Sequence, residues 1–302
     1  MRVLVTGAGG FVGRNLLPVL VAEGFDVVGV MREHSPSVSL PRGGPGLFTL
    51  VTGDLTQGLD LAQPVDVVVH AASKLSVPAL SEDEHILNNT LATRHLIDDV
   101  VSADAQQFIF LSSMLVYGEV TVPVVDETTA IRNPEAYGRS KFLAEEALQD
   151  VSGKLPSVSL RLPGIIGIGA HRTWLVRCVE AMTRNEPVKV FDLNGAFNNA
   201  VHVKDLCRFI VTLIGTDLSG SEILTLGSES TMSISAVMER LLCGIGSCSE
   251  IVESESQKTA FSISIEKAQK YFGYAPMDTE MMLDHYAQEM LGVTSRRTSE
   301  LA

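Results

Sequence analysis

The first fourteen residues, MRVLVTGAGGFVGR, constrain the fold more than any other stretch of the chain. Val3, Leu4 and Val5 form a short apolar, β-branched run that reads as a buried strand, and Thr6-Gly7-Ala8-Gly9-Gly10 breaks it. From Phe11 onward, Phe11, Val12, Leu16, Leu17, Leu20 and Val21 recur at helical spacing. A strand before and a helix after turn the spacing of Gly7, Gly10 and Gly13 into a specific signal. Gly7 permits a tight turn, Gly10 lets backbone approach a pyrophosphate, and Gly13 lets the helix pack close to the strand. The free N–H groups and dipole of a helix start attract phosphates. Gly7, Gly10, Phe11, Val12 and Gly13 are therefore the first candidate contacts for a dinucleotide.

Strands and helices then alternate, which predicts an α/β protein: a Rossmann-type, doubly wound parallel sheet. Phe25–Met31 is the second strand, and its end faces the adenine ribose in such a fold. An acid there suits NAD; this chain has Met31-Arg32, and Arg32 suits the 2′-phosphate of NADP or serves as a solvated loop charge. Ser35–Gly46 reads as a loop rich in Pro, Gly and Ser. Leu47–Val51 is the third strand, followed by Gly53-Asp54-Leu55, where Asp54 reaches the adenine amino group, caps the turn at Thr56, or does both. Val65–His70 reads as a strand buried on both faces, and the small Ala71 and Ala72 leave room for a dinucleotide at its end. Glu82–Ser102 is a long helix carrying Asn89, a poor helix former with either a hydrogen-bonding duty or a place on a polar face.

Gln107–Leu111 is the fifth strand, and Ser112-Ser113 ends it where ligands bind in such sheets. Farther on, Tyr137 and Lys141 stand four apart on a helix and share one face. A free phenol has a pKa near ~10, too high to exchange protons at neutral pH. A neighbouring ammonium, with the positive charge of an oxidised nicotinamide, is expected to favour the phenolate. Lys141 also reaches for the nicotinamide ribose, and Ser113 holds a substrate oxygen in line with the Tyr137 hydroxyl.

The net charge of −13 argues against nucleic acid and anionic membrane as partners, and no apolar run approaches the ~20 residues of a membrane span. Cys178, Cys207, Cys243 and Cys248 form no CxxC pair and no zinc-type spacing, so buried free thiols, no metal and a reducing cytoplasm are expected. The start enters a strand at once, without a signal peptide.

Val158–Leu162 is the sixth strand, and Arg161-Leu162-Pro163-Gly164 opens the substrate side. Gly167–Trp174 mixes two glycines with His171, Arg172 and the single Trp174; a diphosphate on Arg172 and a base or sugar beside Trp174 compete with surface charge and packing. Asn198 and Asn199 are polar substrate candidates, whereas His202 and Asp205 read as structural, Asp205 as the cap of a 205–214 helix. A strand at 223–226, a helix at 233–242, an amphipathic piece at 262–272 and a last helix at about 279–291 follow, with a frayed tail from Thr294. The expected division is a dinucleotide-binding domain, 1–163, to which 198–214 return, and a smaller, partly interleaved α/β substrate domain, 164–302.

These motifs together resemble the extended short-chain dehydrogenase/reductases of the NAD-dependent epimerase/dehydratase group. The matching pieces are TGAGGFVG at 6–13, GDL at 53–55, HAA at 70–72, NNTLAT at 88–93, SSMLVYG at 112–118, YGRSK at 137–141, RLPGIIG at 161–167 and VHVKDL at 201–206. The resemblance implies Tyr137 as acid/base, Lys141 as its partner and Ser113 as the substrate-orienting hydroxyl. It implies cofactor contacts at Asn89 and near Pro163, substrate contacts at Gly164, His171, Arg172, Trp174 and Asn199, and a homodimer through the helices at 82–102 and 137–150. The implied reaction is NAD(P)-dependent hydride transfer on a nucleotide sugar, by a 4-epimerase or 4-keto-reductase. Arg32 leans to NADP and keeps open a reductase of a non-sugar ketone or aldehyde; a non-catalytic dinucleotide sensor is the alternative of another class. Met114-Leu115 stand where dehydratase relatives carry Asp-Glu, which discounts water elimination.

Overall fold

The computed structural model describes residues 1–33, 44–61, 63–74, 81–256 and 260–300, with the side chains of all of these except 85 and 293–300. Residues 35–43 of the expected 35–46 loop lie outside the described residues. The chain divides into two compact units. Unit 1 holds Met1–Glu119, Thr129–Arg161 and Cys207–Leu224; unit 2 holds Val120–Thr128, Leu162–Leu206 and Thr225–Ala302.

Unit 1 is built on a seven-stranded sheet of β1 (Arg2–Thr6), β2 (Asp26–Met31), β3 (Phe48–Thr52), β4 (Val67–His70), β5 (Gln107–Ser113), β6 (Ser157–Leu162) and β7 (Ser221–Thr225). The spatial order is β3-β2-β1-β4-β5-β6-β7, and β3–β2, β2–β1, β1–β4 and β4–β5 pair in parallel. The chain leaves β1 toward β2 on one side and returns through β4 on the other, so the order reverses between β1 and β4. Their carboxyl ends form the switch point where ligands bind in doubly wound sheets. Val3, Leu4 and Val5 are fully buried, and so is every residue of β4, as strands covered on both faces require.

Helices α1 (Phe11–Ala22), α2 (Glu82–Ser102) and α3 (Ala136–Asp150) flank this sheet, and α2 packs along α3. Leu4, Val68, Leu96, Ile97, Val100, Phe108 and Leu148 belong to one cluster that joins sheet to helices. Ser81 and Glu84 close a reciprocal capping box that fixes the start of α2. The fourth strand begins at Val67 rather than Val65, and just before it the Asp66 carboxylate accepts the Arg2 N–H at 2.6 Å.

Unit 2 packs α4 (Trp174–Thr183), part of α5 (Val203–Ile214), α6 (Ile234–Ile245), α7 (Glu266–Phe272) and α8 (Thr279–Glu300) with short two-stranded ladders, among them Gly164–Ile166 with Ala200–His202. Val179, Val237, Met238, Leu241 and Leu283 are buried together at its centre. The 262–272 piece is a strand, Ser262–Ile263, followed by α7, and the last helix continues to Glu300 rather than stopping near Leu291. α5 starts at Val203, ahead of Asp205, and the Asp205 carboxylate accepts the Met277 N–H at 2.9 Å. His202 is buried against Glu289, 3.1 Å away, and the Lys204 ammonium lies 2.8 Å from both Glu289 and His285.

Cys178 and Cys207 are buried thiols that burial pushes up to about 12, whereas Cys243 and Cys248 are exposed, contrary to expectation. Among the described residues, no helix is long and apolar enough to cross a membrane.

Candidate active site

The sheet's switch point opens into a cavity of about 380 Å³ within unit 1, lined by the ends of β1, β2 and β4, by α2 and by α3. That volume lies within the range of small-molecule sites. Three glycines make the cradle. Gly7 has φ +71°, and a Cβ there would stand 2.8 Å from the Ala71 carbonyl carbon and the Ala72 nitrogen. A Cβ at Gly13 would stand 2.3 Å from the Gly7 carbonyl oxygen. Gly10 is the N-cap of α1 and brings no side chain to the first helical N–H groups, so these face the cradle with Phe11 and Val12 in the first turn. A pyrophosphate fits this geometry.

At the other end of the cavity stand Arg32, exposed just past β2, and Asp54. Asp54 accepts the Thr56 N–H at 3.0 Å and the Thr56 hydroxyl at 2.8 Å, capping the turn Leu55–Gln57. Those bonds, aided by the charges of Arg32 and Lys74, hold its carboxyl below the usual range. Ala71 and Ala72 line the floor, as small residues must.

A buried polar chain runs beneath. The Ala72 N–H donates to Thr6 Oγ1 at 3.3 Å, and Thr6 Oγ1 lies 2.7 Å from His70 Nδ1. His70 Nε2 lies 3.0 Å from Thr93 Oγ1, whose proton goes to the Asn89 carbonyl at 3.0 Å. Since Thr93 donates onward, it accepts from His70, so the ring is neutral with its proton on Nε2. Burial, helped by the Lys141 charge, pulls His70 down to about 3. Asn89 uses its carboxamide on the protein: it accepts the Lys74 N–H at 2.9 Å and donates to the Lys74 carbonyl at 3.0 Å. It lines the cavity while clamping that loop.

Tyr137 and Lys141 face the same way on α3, with Lys141 Nζ 5.8 Å from the Tyr137 ring centroid. Lys141 is buried, donates to the Leu111 carbonyl at 2.7 Å and lies 4.6 Å from the centre of the Phe110 ring. Burial brings its ammonium down to about 7, against the pull of Glu145. Burial also raises the Tyr137 phenol, opposed by a hydrogen bond from Ser73. Desolvation of the phenol thus works against the acidification expected from Lys141 and the nicotinamide. Ser113 Oγ accepts the Leu115 N–H at 3.2 Å and so caps the short turn Met114–Tyr117.

Sequence reasoning missed the support behind α3. Glu145, one turn past Lys141, pairs with Arg161 at 2.7 Å, and both side chains are only 3% exposed. Ser112 donates to Glu145, and Arg161 also donates to Tyr117 Oη at 2.9 Å. Arg161, expected at the substrate side, is thus fixed inside unit 1. The available signal was the i,i+4 spacing from Lys141 to Glu145.

In unit 2, His171 and Arg172 are exposed, with Arg172 at φ +69°. Thr173 caps α4, and the Trp174 ring packs on Phe197, centroids 5.6 Å apart, beside the unit's core. Asn198 is buried and committed to Ile263 and Ser228, while Pro163 and Gly164 are half-buried. Asn199 is half-buried beside Asn198.

Residues 3–227 match the NAD dependent epimerase/dehydratase family. The chain belongs to that family. UDP-glucose 4-epimerase of Corynebacterium glutamicum is 26% identical over 93% of this chain and 92% of its own length. UDP-glucose 4-epimerase of Erwinia amylovora is 30% identical, but the match spans only 57% of this chain and 55% of the relative. Among solved structures, MoeE5 in complex with UDP-glucuronic acid and NAD superposes with a TM-score of 0.82 at 25% identity, covering 99% of this chain and 100% of MoeE5. The epimerase/dehydratase chain is thus an extended short-chain dehydrogenase/reductase with the Rossmann-type sheet read from its sequence.

Proposed function

We propose that this family member is an NAD(P)-dependent nucleotide-sugar enzyme, a 4-epimerase or 4-keto-reductase, in which Tyr137 exchanges the proton of the reacting hydroxyl. The observation that carries the reading is the pairing of Tyr137 with Lys141 on one face of α3, beside the cavity at the sheet's switch point. The cradle of Gly7, Gly10 and Gly13 would hold the pyrophosphate, Arg32 and Asp54 the adenosine, and Lys141 the nicotinamide ribose. A bound nicotinamide supplies the hydride acceptor and donor. Tyr137 takes the hydroxyl proton as the sugar is oxidised and returns it on reduction. Ser113, already fixed by the Leu115 N–H, keeps its own proton to donate to the sugar oxygen. Asn89 contributes by holding the Lys74 segment. The relatives named as UDP-glucose 4-epimerases support the substrate class. Gly164, His171, Arg172 and Asn199 are proposed for the nucleotide diphosphate, with Pro163 on the cofactor; the packing of Trp174 argues for a structural place. A homodimer through α2 and α3 and a cytoplasmic location belong to the same reading.

Arg32 favours a second reading, an NADPH-dependent reductase of a sugar or non-sugar ketone that exchanges its cofactor. Denaturing the purified protein and identifying any released dinucleotide separates the two: retained NAD indicates internal redox, and an empty site preferring NADPH indicates the reductase. UDP-glucose, UDP-galactose and a panel of 4-keto sugars are then assayed with each cofactor. No turnover of any of them, with cofactor bound, would overturn the enzymatic reading in favour of a dinucleotide sensor.

A further inference from the structure

Glu145 and Arg161, buried together behind α3, each hold one end of the stretch that carries Ser113. The Ser112 hydroxyl donates to Glu145 Oε1, and Arg161 donates to Tyr117 Oη at 2.9 Å. Ser112 is the residue before Ser113. Tyr117 ends the short turn that Ser113 caps through the Leu115 N–H at 3.2 Å. One ion pair therefore ties down both ends of 112–117, and Ser113 lies between the two ties. Just ahead of Ser112, the Leu111 carbonyl accepts the Lys141 ammonium at 2.7 Å. Lys141 and Glu145 stand one helical turn apart, so the helix that carries Tyr137 and Lys141 is also the one to which Ser112 is fastened. Close packing sets the remaining side. A Cβ on Gly138, the neighbour of Tyr137, would stand 2.0 Å from the Leu115 carbonyl oxygen, so the turn lies directly against the start of α3.

We propose that Glu145 and Arg161 are positioning residues for the reaction, which fix Ser113 in register with Tyr137 and Lys141. They act through Ser112 and Tyr117 and exchange no proton with substrate. The inference rests on the reading of Ser113 as the hydroxyl that orients the substrate oxygen. Such a hydroxyl must meet its target in line with the phenol, and a misplacement of about 1 Å costs up to roughly a hundredfold in rate. A charged pair suits this task better than a neutral one. Its bonds are charge-assisted and stronger, and at 3% exposure water does not compete for them. The carboxylate takes two guanidinium nitrogens and the Ser112 proton, so its charge is met from both sides of the segment it holds.

The test uses the full-length protein and two double variants that strand no charge. Glu145→Leu with Arg161→Met removes the pair as a unit; Ser112→Ala with Tyr117→Phe keeps the pair and removes its two ties. Should the first not fold, the second carries the comparison. Amide hydrogen exchange, resolved by NMR, reads the Leu115 N–H that Ser113 holds. In both variants that amide is expected to exchange about tenfold faster, while the amides of β1 and β4 keep their protection. With UDP-glucose as substrate, both variants are expected to lower kcat by about tenfold to a hundredfold and to leave KM nearly unchanged. On a Ser113→Ala background the same changes should lower kcat by less than about twofold more, because the group they position is already gone. An unmoved Leu115 amide, a loss of protection across the whole sheet, or kcat losses that multiply in full with Ser113→Ala overturns the proposal. A Leu115 amide that loosens as expected, in a protein whose kcat Ser113→Ala alone leaves unchanged, keeps the hold on 112–117 and defeats the reading of Ser113 instead.

Discussion

Replacing Arg161 by Met is expected to destabilise unit 1 far more than an ordinary surface ion pair would suggest. Arg161 approaches Glu145 through Nε at 3.2 and 3.3 Å and through a terminal nitrogen at 2.7 Å, and it reaches Tyr117 Oη at 2.9 Å. Both charged side chains are 3% exposed, so water cannot replace what is removed. Arg161→Met leaves the Glu145 carboxylate buried with Ser112 as its remaining donor from this group, and breaking a buried pair in this way costs about 3–5 kcal/mol. Glu145→Leu strands the guanidinium at a similar cost of about 3–5 kcal/mol. The double variant removes both charges and takes one partner each from the Ser112 and Tyr117 hydroxyls, at roughly 1 kcal/mol each. It should therefore lie within about 2 kcal/mol of wild type, giving a coupling of at least about 4 kcal/mol between the two sites. Urea unfolding of the full-length single and double variants, followed by far-ultraviolet circular dichroism, measures each term. A single variant within ~1 kcal/mol of wild type, or a double variant as unstable as the sum of its parts, would refute the reasoning.

Tyr137→Phe should abolish turnover while leaving dinucleotide binding, read by isothermal titration, nearly intact; retained activity would assign the proton to another group. Arg32→Ala should weaken NADP by about tenfold or more and NAD far less, since a charged hydrogen bond contributes roughly 1.5–3 kcal/mol; equal losses would remove the 2′-phosphate role. Lys141→Met should end activity yet stabilise the fold at pH 6. The ammonium lowered to about 7 must be charged in a buried place below that pH, whereas the unfolded chain holds its proton freely up to its ordinary range. The wild-type deficit therefore shrinks as pH rises from about 7 toward 10.5, and the variant's advantage in thermal melts should shrink with it. His70, pulled to about 3 in the fold against 6.5 unfolded, should make wild-type stability fall as pH drops from 6.5 toward 3, by up to one proton's worth of slope. His70→Gln should flatten that limb, and an unchanged limb would place the acid sensitivity elsewhere.

The parts of the fold visible in the sequence are those governed by short-range chemistry. The glycine turn shows because only glycine tolerates φ +71° at position 7 and a carbonyl 2.3 Å from a would-be Cβ at position 13. α2 shows because its apolar residues recur at helical spacing over a long stretch. The i,i+4 relation of Tyr137 to Lys141 shows for the same reason, since helix geometry alone puts both on one face. What stayed hidden depends on partners far along the chain. Arg161 reads as the doorway to a substrate region until β6 places it against Glu145, 16 residues earlier. The Lys74 partner of the Asn89 carboxamide and the Phe197 neighbour of Trp174 are hidden in the same way. The readiness of the Tyr137 phenol to ionise stays hidden for a deeper reason: sequence shows which charge is near a phenol but not how much water both have lost. Here burial moves the phenol up and the ammonium down together, so their separation of one helical turn does not by itself make an acid. A pair of motif residues therefore marks a place for proton exchange, while the readiness of the phenol to ionise depends on how far the surrounding protein desolvates it.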